Sequence, residues 1–225
     1  MPRSLCVALG VLVVGGGCGT ETGNPEGMSV ELGYNARSSR PDVVGFDEGA
    51  EIVVDTVWLR LDAVTLTPCD GPEATFAGLG LADHGGVEAA TQVLPVDSAR
   101  FCGVSTRAAV AAPGPDEPEV VGGAAIVIEG RRGGGRPFVV AVDEPVDLGV
   151  LLDGAPPPSD GRWLLSFDVA TWLDPDELGA LPDASVEVGG TALWSLVDRL
   201  ADGVSLHLDR DGDGSVDPGE ERLDR

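Results

Sequence analysis

Residues 209–220 read DRDGDGSVDPGE, and five of these twelve carry carboxylates. Carboxylate oxygens are hard ligands, and calcium gathers six to eight oxygens around itself. Asp209, Asp211 and Asp213 stand first, third and fifth in the segment. Gly214 stands sixth, where a loop closing on an ion must turn sharply with positive φ. Ser215, seventh, offers its backbone carbonyl, and Val216, eighth, is the apolar residue that turns inward. Asp217, ninth, reaches the ion directly or through a water. Glu220, twelfth, can close the shell with both oxygens. The chemistry implied is binding of one cation, with Ca2+ as the cofactor. A solvated acidic turn is the competing reading.

The spacing resembles the calcium loop of EF-hand proteins at every position. Asp217, Pro218 and Glu220 also make a helix start, with an N-cap, Pro at the first helical position and Glu at the third. Two features depart from the EF-hand. Residues 204–208 (VSLHL) alternate like a strand, and five residues follow Glu220, so an exiting helix is at most a stub. A lone loop of this kind implies a structural or adhesive site and not a signalling switch.

The elements that must position this loop read as mainly β. Residues 28–34 start as an alternating strand. Residues 51–67 (EIVVDTVWLRLDAVTLT) place Val57, Leu59, Leu61, Ala63 and Thr65 on one face and Trp58, Arg60, Asp62 and Val64 on the other. Strands follow over 100–111 and 120–130, split by the Pro-rich stretch 113–118. RRGGG at 131–135 is a turn whose hairpin partner is 136–142. Residues 145–152 and 162–169 are further strands. Short strands with Gly and Pro turns and no βα alternation predict an antiparallel β-sandwich, Ig-like or similar. One or two short helices are expected near the C-terminus, over 171–180, where DPDE at 174–177 is a start signal, and over 191–201, with Gly203 as the stop.

The first residues read as a targeting segment. Arg3 precedes a ten-residue apolar run at 5–14 (LCVALGVLVV), too short to span a membrane and right for a signal peptide. Gly15, Gly16, Gly17 and Cys18 follow. This resembles the bacterial lipobox, in which small residues precede a Cys that is acylated and becomes the mature N-terminus. Gly15 departs from it, since that position usually holds Leu. An ordinary secretory signal cut nearby is the other reading. The lipoprotein resemblance implies outer-membrane lipid as a partner through acylated Cys18. Gly19, in place of the Asp that retains such proteins at the inner membrane, implies the outer one.

With Cys6 in the signal and Cys18 acylated, Cys69 and Cys102 remain as a pair in an oxidising compartment. A disulfide between them would close a loop of about 34 residues; two buried thiols are the alternative. The expected organisation is a signal peptide over 1–17, a tether over 18–27, a sandwich over 28–189, and a C-terminal helix and calcium loop over 190–225. Residues 28–173 resemble an uncharacterised sandwich domain of bacterial lipoproteins. The resemblance lies in DTVWLRLDAVTLT (55–67), ARFCGVSTRA (99–108), PFVVAVDEPVDL (137–148) and WLLSFDVATWL (163–173). It implies fold and location, with no established activity.

Formal net charge is −24, and all the basic residues are Arg. Such a surface repels phosphate backbones and anionic headgroups, so nucleic acid is not an expected partner. No catalytic constellation stands out. His84 sits in a Gly-rich stretch (ADHGG), and His207 in the alternating VSLHL run; both read as ordinary surface or strand residues. Ser105, in GVSTR, lacks the last Gly of a nucleophile elbow. RRGGG lacks the Lys and Ser or Thr of a phosphate loop. The four Trp residues, at 58, 163, 172 and 194, fall in strand or helix patterns and read as core. The function expected is a non-catalytic cell-envelope lipoprotein with a calcium-binding loop. An extracellular hydrolase using calcium as a structural ion is the alternative.

Overall fold

The computed structural model describes residues 28–37, 52–84, 90–173, 178, 193–217 and 219–225. The segments expected as signal peptide (1–17) and tether (18–27, with Cys18), and the expected helix start at 174–177, lie outside them. The described chain is a sandwich of two sheets. Sheet A runs β11-β10-β9-β1-β4 and sheet B runs β7-β6-β2-β5-β8, with β3 also paired to β2. In chain order the strands are β1 (Met28–Arg37), β2 (Ile52–Pro68), β3 (Ala74–Asp83), β4 (Ala90–Val96), β5 (Phe101–Ala108), β6 (Ile126–Arg132), β7 (Arg136–Val142), β8 (Val146–Ala155), β9 (Arg162–Asp168), β10 (Val204–Asp209) and β11 (Glu221–Arg222). Helices α1 (Val169–Trp172) and α2 (Leu193–Asp202) sit between β9 and β10.

Among the described residues the strand pairing is antiparallel with one exception: β1 runs parallel to β9, with Leu32 opposite Trp163 and Ala36 opposite Phe167. These two strands come from distant parts of the chain, so no hairpin dictates their direction. The core between the sheets is built from alternate residues of each strand, among them Val30, Leu32 and Tyr34 of β1 and Trp163, Leu165 and Phe167 of β9.

Strand β2 corrects the period-two reading at one point. Val57, Leu59 and Leu61 face the core as expected, but beyond them the buried residues are Val64 and Leu66, while Ala63 and Thr65 are half-buried. The register with β3 and β5 slips between Leu61 and Ala63. A bulge adds one residue and hands the alternation to the other face. Residues 120–125 are also not strand. Val121 N–H bonds the Pro118 carbonyl and Ala124 N–H the Val121 carbonyl, making turns that delay β6 to Ile126. That turn is pinned by Glu117, which pairs with Arg60 and accepts the amides of Gly114 and Gly123, both at 3.0 Å. The Gly114 amide, ahead of the Arg60 guanidinium, holds this carboxyl below its ordinary value.

Gly203 ends α2 as expected, and for a further reason. A methyl there would lie 2.3 Å from the indole nitrogen of Trp172, which donates to the Leu200 carbonyl at 3.2 Å and ties α1 to α2. Trp163 and Trp172 are fully buried, while Trp58 packs on a smaller apolar cluster around Val121, Ala124 and Val127. His84 is not a surface residue. It is 3% exposed, and its backbone crosses from one sheet to the other: its N–H bonds the Val57 carbonyl of β2, and its carbonyl accepts the Ala36 N–H of β1.

Candidate metal site and its frame

The acidic loop lies between β10 and β11, so it is a loop of the sandwich itself. β10 pairs with β9 over its whole length, from Val204 opposite Phe167 to Asp209 opposite Arg162. After the loop the chain returns as β11, with Leu208 opposite Glu221 and His207 opposite Arg222. The helix start at Asp217 and Glu220 is thus overturned: Glu221 and Arg222 pair with β10, and the edge of sheet A supplies the hydrogen bonds that a helix would have had to make internally. Two flanking strands replace the two flanking helices of the EF-hand.

Within the loop, the carboxylates of Asp209, Asp211 and Asp213 each place an oxygen within 4.8 Å of the others. Asp209 is fully buried, while Asp211 and Asp213 are exposed. Backbone amides hold all three. Asp209 accepts from Gly212 N–H at 2.6 Å through Oδ1 and from Gly214 N–H at 3.1 Å through Oδ2. Asp211 accepts from Asp213 N–H at 3.2 Å, and Asp213 from Ser215 N–H at 2.6 Å. These are the local turns that Asp favours, and together they wind the chain around one point. Gly214 has φ 76°, the left-handed conformation expected at the sixth position. Gly161, with φ 79°, ends the preceding turn directly under the loop; a methyl there would lie 2.3 Å from the Asp209 carbonyl oxygen.

Glu220 folds back toward the same point. Its Oε2 accepts the Asp217 N–H at 3.1 Å, and the Glu220 N–H bonds the Asp217 carbonyl at 3.1 Å. Burial raises its carboxyl above the ordinary value, the Asp217 amide opposes that, and the charges of Asp209 and Asp211 push it up further. The fourth carboxylate therefore lies within electrostatic reach of the first two. Val216 is exposed and does not turn inward.

Three residues outside the loop frame it, and local spacing gave no sign of them. Arg162, which opens β9, donates from Nε to Asp209 Oδ2 at 2.8 Å and from a terminal nitrogen to the Gly212 carbonyl at 2.8 Å. Its other terminal nitrogen lies 3.7 Å from Glu31 of β1. Asn35, also of β1 and 2% exposed, donates its Nδ2 to the Gly214 carbonyl. The only available signal was that Glu31, Gly33 and Asn35 alternate on the outward face of β1, opposite its core residues.

Beyond the loop, the tail clasps both sheets. Leu223 N–H bonds the Leu206 carbonyl at 2.8 Å, and Asp224 accepts the Leu206 N–H at 2.9 Å. Asp224 then bridges to Leu152 of β8 in sheet B, and Arg225 bonds the Leu151 carbonyl and pairs with Asp153. The outer edge of β8 is thereby partly covered.

Elsewhere, Cys69 and Cys102 form a disulfide between the end of β2 and the start of β5, with Cα atoms 4.9 Å apart. His207 bonds Ser205 at 3.0 Å and is held below its ordinary pKa by burial, with Asp224 opposing. Ser105 lines a shallow depression of about 230 Å³ on sheet B with Thr67, Gly103, Val104, Gly149, Val150 and Leu151; none of these carries an imidazole or a carboxylate. No helix among the described residues is long and apolar enough to cross a membrane.

No protein-family model matches the chain, and no curated protein does. Among solved structures, MbnP from Methylosinus trichosporium is similar in shape, with a TM-score of 0.48 and 12% sequence identity. The match covers 76% of this chain and 87% of that one. A likeness of that order carries no conclusion about this chain.

Proposed function

We propose that the chain is a non-catalytic, exported β-sandwich protein whose C-terminal loop binds one calcium ion in a structural role. The observation that carries the reading is the convergence of Asp209, Asp211 and Asp213 within 4.8 Å around a left-handed Gly214. Asp217, Glu220 and the Ser215 carbonyl complete the ligand set. Calcium suits such a site: it is a hard cation that accepts irregular oxygen shells, whereas magnesium demands a smaller octahedral one. Calcium would hold the tail that joins the edges of both sheets. The Cys69–Cys102 disulfide supports export, because such bonds persist chiefly in oxidising compartments.

The test is calorimetric titration of the mature protein with calcium. Binding is expected in the ~10⁻⁵ to 10⁻³ M range of extracellular loops. At ~100 times the dissociation constant, calcium should add about 2.7 kcal/mol of stability. Glu220→Gln should weaken binding most, since it removes a charge and impairs a bidentate ligand. Absence of heat and of any melting shift at ~10 mM calcium, well above that range, removes the calcium assignment.

The reading places the protein at the outer membrane through acylated Cys18, supported by GGGC at 15–18. Cys18→Ala should move the protein from the membrane to the soluble fraction, because several acyl chains anchor stably where none or one does not. Membrane retention of the Cys18→Ala protein argues against lipidation at this residue.

A further inference from the structure

We infer that Arg162 is a resident counter-cation of the calcium loop, which closes the loop when metal is absent and sets how tightly calcium binds. The inference rests on the calcium reading above. Arg162 lies 47 residues before Asp209 in sequence and is brought to it by the β9–β10 ladder. Its side chain is 12% exposed, and that of Asp209 is fully buried. The guanidinium therefore meets the first ligand of the loop where water screens little.

Gly33 of β1 lies beneath the side chain, and a methyl group there would stand 3.4 Å from Arg162 Nε and 3.2 Å from Leu164. Glu31, two residues before Gly33 on the same face, lies at 3.7 Å from the opposite side of the fork. Asn35, two residues after Gly33, points its carboxamide at the loop's turn. Its Nδ2 holds the Gly214 carbonyl, while its Oδ1 is buried and accepts no hydrogen bond from the described residues. A buried acceptor without a donor is rare, and this one belongs to the carboxamide that holds the loop's turn.

Two effects of opposite sign follow. Without metal, the three aspartates repel one another, and Arg162 offsets one charge while tying Gly212 down. With metal, Arg162 is a like charge a few ångströms from a dication, so it opposes binding. The same residue thus lends order to the empty loop and lowers its affinity. That suits a site filled only where calcium is abundant, as it is outside the cell.

The experiment compares wild type, Arg162→Gln and Arg162→Lys as mature proteins, by calcium calorimetry and by melting in chelator. Arg162→Gln keeps a donor for Asp209 and removes the charge. It should bind calcium about tenfold more tightly, the scale of one removed charge at this distance under partial screening, yet melt lower than wild type in chelator. Arg162→Lys keeps the charge and should bind within about threefold of wild type, by the same charge argument. A purely structural arginine would give the reverse, since loosening the loop weakens calcium binding. Equal or weaker calcium binding by Arg162→Gln overturns the inference, as does failure of that variant to fold at ~10 mM calcium, a concentration above the range of such loops. A wild type that takes up no calcium removes the calcium reading and this inference with it. A wild type that binds beside an Arg162→Gln protein that binds no tighter removes the inference alone.

Discussion

Replacing Cys69 and Cys102 together by Ala should lower the unfolding free energy by up to about 4 kcal/mol. The bridge spans a sequence separation of 33. Loop-closure entropy of the unfolded chain over that length gives about this figure. Both cysteines are half-buried, so their truncation opens little cavity and the change acts mainly on the unfolded state. The native geometry is already set without the bond. β2 and β5 pair from Leu61 opposite Ala108 to Pro68 opposite Phe101, and Cys69 N–H bonds the Arg100 carbonyl at 3.1 Å. Urea denaturation of the double variant beside the oxidised wild type measures the loss. A loss below about 1 kcal/mol, far under the entropic figure, means that the unfolded chain is already held compact in this region.

Stability should also fall as pH drops from 6.5 toward 4, and His84 should be a main cause. Burial pushes its imidazole down to about 4, against weaker opposing pulls from the Tyr34 backbone and the Asp83 charge. The Tyr34 ring stands edge-on to it at 6.1 Å, and neither ring nitrogen makes a hydrogen bond of normal geometry among the described residues. The folded protein therefore keeps His84 neutral, whereas the unfolded chain protonates it at its ordinary value. Between those two pKa values the unfolded state binds more protons, so stability rises with pH through the window and is complete above 6.5. The full span corresponds to about 3 kcal/mol, of which about 2 is lost by pH 5, above the range where most carboxylates titrate. His207, also lowered by burial, adds to the loss with the same sign. His84→Gln cannot titrate, so its stability should vary less over pH 7 to 5 than wild type. Equal slopes for the two proteins would show that His84 is hydrated in the folded state.

The loop could be read from the sequence because its ligands are contiguous: twelve residues carry both the oxygens and the turn. Its frame could not. Asn35 lies 179 residues from Gly214, and only the parallel pairing of β1 with β9 brings the two outward faces together. The strand flanks of the loop were half legible. VSLHL alternates visibly, but β11 is two residues long, and its identity comes from the free edge of β10. Strands β3 (ATFAGLGLAD) and β4 (ATQVLPV) are poor in large β-formers, and their extended state is imposed by partners in β2 and β1. His84 looked like a loop residue because its neighbours are glycines. The crossing between sheets that buries it is a property of topology and leaves no local mark.

The position of β1 has a mechanical consequence. This strand lies between β4 and β9, hydrogen-bonded on both edges. A pull applied at Met28 along the strand would load both ladders at once, in shear, instead of peeling one bond at a time from an outer edge. The segment that would transmit drag from a tether is thus an inner strand of sheet A, held on both edges, and Asn35, near the far end of the same strand, would carry that load toward the turn at Gly214.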